Sequence, residues 1–258
     1  FTSSGGTLDG ATVSGNITLA SNEVLTLKNS GGATGTTTVN NATLYIGTNL
    51  SAAAGSTYDF TGANSYLSYT GGGPFTFTVP ATATFTRSGS GNTYVYDHVT
   101  NSGTLAVSGG SLLFQSGTTL TINSGGTATV SGASSILSLY GLANAGTLSV
   151  ANSGLIQLAG TFTTADLGLL SISSGGVIRL TGTINNASAT LAAPSGGAIT
   201  LFGGTITGGT INSGALTFTS SGGTLDGATV SGNITLASGE VLTLKNSGSA
   251  TGTTTVNN

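Results

Sequence analysis

The feature that most constrains this chain is a 41-residue segment that occurs twice. Residues 1–41 and 218–258 are identical at 39 of 41 positions and lie 217 residues apart. The two differences are Asn22 against Gly239 and Gly32 against Ser249. Self-similarity at a fixed period is the sequence signature of repeat architectures. The repeat therefore predicts a tandem array in which 1–217 is one complete unit and 218–258 begins the next unit.

Array geometry follows from this prediction. We expect Asn258 to be followed in the full protein by an equivalent of Ala42. The two copies should adopt the same fold and be related by one screw operation along the fibre axis. The alternative is an internal duplication inside a closed domain, in which the copies would lie side by side.

Composition limits the kinds of partner and chemistry. Charged residues make up 4% of the chain, against ~25% in a typical globular protein. Four basic residues cannot form a phosphate-binding stripe, so we expect no nucleic-acid partner. The chain has no cysteine, which excludes disulfides and thiolate metal sites. It has no run of about 18 apolar residues, so we expect no membrane insertion in this part of the protein.

Local patterns favour strands and disfavour helices. Glycine accounts for 44 of 258 residues and recurs every few positions, together with Thr, Ser and Asn, which are poor helix formers. Between the glycines lie short alternating runs such as Thr104–Val107, Thr147–Val150 and Leu155–Leu158. Such runs, joined by tight glycine corners, predict an all-β fold, a right-handed parallel β-helix or β-solenoid. With coils of roughly 18–25 residues stacked about 4.8 Å apart, one unit would contain about 9–12 coils and be about 45–60 Å long.

A short recurring sequence motif supports a structure of stacked coils. Asn101-Ser102-Gly103-Thr104-Leu105 recurs as Asn144-Ala145-Gly146-Thr147-Leu148 and as Asn212-Ser213-Gly214-Ala215-Leu216. In this motif and in its Gly/Thr/Asn-rich runs, the chain resembles autotransporter passenger regions and filamentous-haemagglutinin-type adhesins. It is similar in style to the β-helical arrays of giant bacterial surface proteins. The resemblance implies a β-solenoid with a structural or adhesive role, although a near-identical 217-residue period is not a required feature of those families.

One segment departs from the monotonous pattern. Residues 58–98 contain nine of the sixteen aromatic residues, together with two prolines. Either this is an irregular, wider coil whose aromatic side chains fill a larger core, or the aromatic side chains contact a neighbouring fibre or a glycan. The candidate contact residues are Tyr58, Tyr66, Tyr69, Tyr94, Tyr96 and His98.

Residues that could carry chemistry are sparse. One unit has five acidic residues, and none lies within four positions of another. His98 is the only histidine, and strict alternation would place it on one face with Tyr94 and Tyr96. Arg87 and Arg179 are interpreted as isolated, exposed cations. We therefore expect no catalytic, cofactor-binding or metal-binding residue, no cofactor, and a protein that is not an enzyme.

These observations favour three functional hypotheses. The first is a structural repeat of a long extracellular fibre, stalk or sheath whose partners are other copies of itself. The second is an adhesin repeat at the cell surface that binds a glycan or a partner through the aromatic segment. The third, an ice-binding face of Thr-x-Thr steps, is disfavoured because the Thr spacing along the sequence looks irregular.

Overall fold

A computed structural model of the chain describes residues 1–257, and within them lie 37 short strands and one helical turn, α1 (Thr164–Leu167). The prediction of an all-β solenoid is confirmed. Asn258, which the array hypothesis joins to an equivalent of Ala42, lies outside the described residues.

Three strands make up each coil, and the first four coils contain twelve strands of two to six residues. In chain order they are β1 (Gly6–Asp9), β2 (Thr12–Val13), β3 (Ile17–Leu19), β4 (Val24–Lys28), β5 (Gly32–Ala33), β6 (Thr36–Asn40), β7 (Thr43–Ile46), β8 (Leu50–Ser51), β9 (Thr57–Thr61), β10 (Asn64–Tyr69), β11 (Thr76–Val79) and β12 (Thr84–Arg87).

The next four coils repeat the arrangement, and α1 follows the second strand of the eighth coil. Their strands are β13 (Asn92–Val95), β14 (His98–Asn101), β15 (Thr104–Val107), β16 (Ser111–Phe114), β17 (Leu120–Ile122), β18 (Thr127–Ser131), β19 (Ile136–Leu139), β20 (Leu142–Asn144), β21 (Thr147–Ala151), β22 (Leu155–Leu158), β23 (Thr161–Thr163) and β24 (Leu169–Ile172).

The last four coils have shorter strands and are followed by one further strand. These strands are β25 (Val177–Leu180), β26 (Thr183–Asn185), β27 (Thr190–Leu191), β28 (Ile199–Leu201), β29 (Thr205–Thr207), β30 (Thr210–Asn212), β31 (Leu216–Thr217), β32 (Thr224–Asp226), β33 (Thr229–Ser231), β34 (Ile234–Leu236), β35 (Thr243–Lys245), β36 (Ser249–Ala250) and β37 (Thr254–Val256).

The strands of successive coils stack into three faces, and all their ladders are parallel. The first strand of each coil, from β1 to β31, forms one continuous 11-stranded sheet. Second strands form the sheets β2-β5, β8 to β20 and β23 to β35, and third strands form β3 to β24 and β27 to β36. The ladder of the second strands breaks after β20, on which α1 packs, and that of the third strands breaks after β24, where Ser171 pairs with Ser195 beyond β27. On the first face, β34 and β37 pair separately beyond β31. We name the three faces by the position of their strands in the coil: the first, second and third faces.

The core is a set of stacked aliphatic ladders inside the three faces. Alternation sends every second side chain of a strand inward, and the parallel register places it over its equivalent in the next coil. On the first face, Leu112, Leu137, Ile156 and Ile178 form one such ladder, and all four are fully buried. Burying each of these side chains contributes roughly 1.5–3 kcal/mol before entropy costs are counted.

The two 41-residue copies form the same local structure. β1 pairs with β4 through Thr7↔Thr26, and β32 pairs with β35 through the equivalent Thr224↔Thr243. The register of β3 with β6 is likewise reproduced by β34 with β37. The copies are also separated along the stack, because β1 belongs to the first coil and β32 to the eleventh. The expectation of one fold, displaced along one axis, is confirmed.

Candidate functional site

The aromatic segment occupies the third to fifth coils, and its aromatic side chains separate into an inner and an outer set. The inner set is Tyr58, Phe60, Phe77 and Phe85, each at most 1% exposed. Tyr58 and Phe77 meet edge to face with ring centroids 4.8 Å apart, and Phe60 stacks on Phe85 at 4.9 Å. These distances are typical of favourable aromatic pairs. The inner set fills the core, as the first interpretation of the segment predicts.

Tyr58 is therefore wrong as a surface-contact residue. It lies on β9 with its ring inside the solenoid, and burial raises the pKa of its hydroxyl to about 12, while the neighbouring Thr37 side chain acts in the opposite direction. The sequence already carries the reason, because Tyr58 and Phe60 share the inward positions of one alternating strand. The segment supplies core and surface aromatics together.

Tyr66 and Tyr94 form the centre of the outer set. They face each other directly in the β10–β13 register on the first face, and their rings stack with centroids 5.4 Å apart and planes 19° apart. The Asn92 amide donates a hydrogen bond of 3.1 Å to the Tyr94 hydroxyl. Because the two rings cover each other, this pair offers mainly ring edges and hydroxyl groups to a partner.

Tyr69 and Tyr96 lie near the ends of strands on the first face. Tyr69 is the last residue of β10 and is half-buried, and its ring lies where a side chain at Gly73 would be. Tyr96 follows β13 at a corner and is 38% exposed, the most accessible of the proposed contact residues. Four of the six candidates, Tyr66, Tyr69, Tyr94 and Tyr96, thus lie on or beside one face and remain accessible.

His98 does not lie on that face, so the alternation argument is wrong for this residue. The chain turns a corner at Tyr96 and Asp97, and His98 begins β14 on the second face. Its imidazole Nδ1 accepts a hydrogen bond of 3.1 Å from the backbone N–H of Thr119. Alternation holds along a strand, and a corner resets the direction in which side chains point.

Asp97 is fully buried at this corner, although it neighbours the half-buried His98 in sequence. One carboxylate oxygen accepts a hydrogen bond of 2.8 Å from the backbone N–H of Phe75, and the other has no hydrogen-bond partner among the described residues. Burial raises the pKa of Asp97 to about 6, and the hydrogen bond from Phe75 opposes that shift. The carboxylate thus ties the corner to the coil below it.

Asp97 makes stability depend on pH. Its folded-state pKa of about 6 exceeds the unfolded value of about 3.9, so the folded state binds the proton more tightly. The free energy of unfolding should therefore rise as pH falls from about 7 towards 4, by up to about 3 kcal/mol from this group. Denaturant unfolding at several pH values, followed by circular dichroism, measures the rise.

Asp97→Asn is the matched control for this pH dependence. The amide keeps an acceptor for the Phe75 N–H but carries no charge, so the variant should be more stable than the parent at pH 7.5 and should lose this part of the pH dependence. An unchanged pH profile in the variant would show that Asp97 is not the titrating group.

Two arginines that we interpreted as exposed are not. Arg87 is fully buried, because it occupies an inward position of β12. Its guanidinium donates hydrogen bonds to the carbonyl oxygens of Phe60 at 2.8 Å and Gly62 at 2.7 Å. Burial lowers the pKa of Arg87, and the Asp59 carboxylate opposes that shift. Arg179 is half-buried on the first face, with its guanidinium 4.2 Å from the Phe202 ring centroid.

Two accessible tyrosines were missed by the focus on residues 58–98. Tyr45 lies on the outer side of β7 and faces Ser68 in the register of the first face. Tyr140, which follows β19 at a corner, is 45% exposed. Alternation in Thr43-Leu44-Tyr45-Ile46 already places Tyr45 outward, so that signal was available in the sequence.

Threonines align outside the solenoid much more regularly than their sequence spacing suggests. One column on the third face contains Thr36, Thr57, Thr84, Thr104, Thr127 and Thr147. The spacing argument against an ice-binding face is therefore wrong. However, a second column on the second face contains Thr161, Thr183, Thr205, Thr224 and Thr243. Columns on two faces match the general preference of β-branched residues for strands.

Comparisons with known proteins give no further guide to function. No family model, no curated protein and no solved structure matches the chain. Within residues 1–257, no group of three or more His, Cys, Asp or Glu side chains is placed to hold a metal ion. In the same range, no helix has the length and apolar character needed to cross a membrane.

Proposed function

We propose that this chain is a structural segment of a long extracellular fibre, stalk or sheath built from tandem 217-residue units. One observation carries the proposal: two near-identical copies form the same strand pairings at points ten coils apart in one continuous stack. Each coil contacts its neighbours along the axis, so a solenoid of this kind extends by simple repetition.

The side surfaces suit a spacer or stalk. Their outward columns consist largely of threonine on the second and third faces, with few charged side chains. The extracellular location is part of the proposal and rests on the resemblance to surface arrays, together with a composition free of cysteine.

The adhesin alternative is supported by the accessible tyrosines of the first face. Sugars bind aromatic side chains through the ring faces, and the faces of Tyr66 and Tyr94 are turned towards each other. Tyr96 is the candidate ring with the greatest exposure. We therefore favour the structural role over glycan binding, with lateral contact between fibres as the use of the tyrosine surface.

The array is tested by lengthening the chain. A protein in which residues 1–217 precede the full chain should form one continuous rod, longer than the parent by about 50 Å because each coil adds about 4.8 Å. Small-angle scattering and electron microscopy measure the length, and the parent chain is the control. A rod of unchanged length and greater thickness would show that the units pack side by side and would overturn the proposal.

A further inference from the structure

The two copies lie on different faces of the solenoid. β1, in the first copy, is part of the 11-stranded sheet of the first face. Its equivalent β32 is part of the second face, between β29 and β35. β32 comes thirty-one strands after β1, a step of ten complete coils of three strands plus one strand.

The shift between faces does not alter the local structure. In the first copy the Asn29 amide donates to the Asp9 carboxylate at 2.8 Å, and in the second the Asn246 amide donates to Asp226 at 2.6 Å. The registers of the paired strands are also equivalent. Strand pairing depends on the coils above and below, so the same sequence forms the same ladders on either face.

We infer that each 217-residue unit advances the solenoid by ten and one third coils, so that a tandem array turns its surface by one third of the circumference per unit. The inference rests on the proposed array. With three strands per coil, the same face returns only at every third unit.

This geometry distributes the accessible tyrosines around the fibre. In successive units, the surface that contains Tyr66, Tyr94 and Tyr96 would point in three directions in turn. A flat partner on one side of the fibre would meet this surface once in three units, at intervals of about 150 Å. Neighbouring copies could contact it from any side, so the array suits lateral association in all directions.

The rotation between the copies can be measured in the chain as it exists. Thr26 of β4 lies on the first face, and the twelfth coil offers two partners at one height: Thr243, which is equivalent to Thr26 in the second copy, and Thr235 of β34. Thr235 adjoins Leu216 and Thr217 of the first face. Because the chain has no cysteine, Thr→Cys pairs can be spin-labelled uniquely.

Pulsed electron spin resonance should give about 50 Å for Thr26→Cys with Thr235→Cys, the axial rise of ten coils. Thr26→Cys with Thr243→Cys should be longer by several ångströms, since a lateral step is added. If the Thr26–Thr243 distance is the shorter of the two, the copies lie on one face and the inference is wrong.

The rotation by one third of the circumference per unit is tested in a chain with two added units. This chain carries Tyr96→Cys in each unit. Gold-labelled rods should show tags about 50 Å apart along the axis, on three sides in succession. Tags in a single line on rods of the expected length would overturn the inference and leave the proposed fibre intact. If the rods fail to lengthen while the two spin-label distances are as expected, the proposed array is wrong. The rotation between the two copies within this chain would then still hold.

Discussion

Arg87→Ala should be among the most destabilising single substitutions in this chain, with a loss of about 3–5 kcal/mol in the free energy of unfolding. The side chain fills an inward column between Phe60 and Val107 and is fully buried. Its removal leaves a cavity and takes the guanidinium donors from the carbonyl oxygens of Phe60 and Gly62. Denaturant unfolding followed by far-UV circular dichroism measures the loss.

Arg179→Ala is the matched control for this prediction. Arg179 lies on the first face, and its principal contact is the Phe202 ring, so the substitution should cost no more than about 1 kcal/mol. Arg87→Met separates packing from hydrogen bonding, because it refills the column without donors and should cost less than Arg87→Ala. Equal losses for Arg87→Ala and Arg179→Ala would contradict the buried role of Arg87.

Gly160→Ala should be comparably destabilising for a different reason. A Cβ atom at Gly160 would overlap the carbonyl oxygen of Tyr140 in the coil below. The obstacle is backbone, so the added methyl group forces the two coils apart at this corner. We expect a loss at or above the upper end of the ~1–3 kcal/mol typical of overpacking, measured by the same unfolding experiment.

Gly72→Ala is the matched control for Gly160→Ala. No atom lies within 4 Å of the position that a Cβ at Gly72 would take, and the φ angle of this residue is not positive. Alanine should therefore be tolerated there with little change or a small gain in stability. A Gly160→Ala variant as stable as Gly72→Ala would show that the coils can separate at this corner without cost, and the close-approach argument would fail.

The candidate site was only partly predictable. The sequence correctly marks residues 58–98 as exceptional, but it does not separate Tyr58, which is buried, from Tyr94, which is accessible. Alternation within one strand assigns these two correctly once the strand is known. It fails for His98, because the intervening corner at Asp97 changes the face.

Coil length explains why the threonine columns were hidden in the sequence. Successive members such as Thr57, Thr84 and Thr104 are 27 and 20 residues apart, yet they occupy one register position. Loops and corners absorb the difference in length, whereas backbone hydrogen bonding keeps the strands aligned. Sequence spacing therefore does not reveal which side chains stack.

By itself the sequence determined that the chain is a repetitive all-β solenoid, since short alternating runs between glycine corners permit little else, and that two segments share one local structure. The tertiary structure decided which faces those segments occupy. The count of strands between Thr7 and Thr224 fixes the rotation, and that count depends on where each corner forms. It also decided that Arg87 and Asp97 are buried, because corners and neighbouring coils supply the hydrogen-bond partners that a linear pattern does not show.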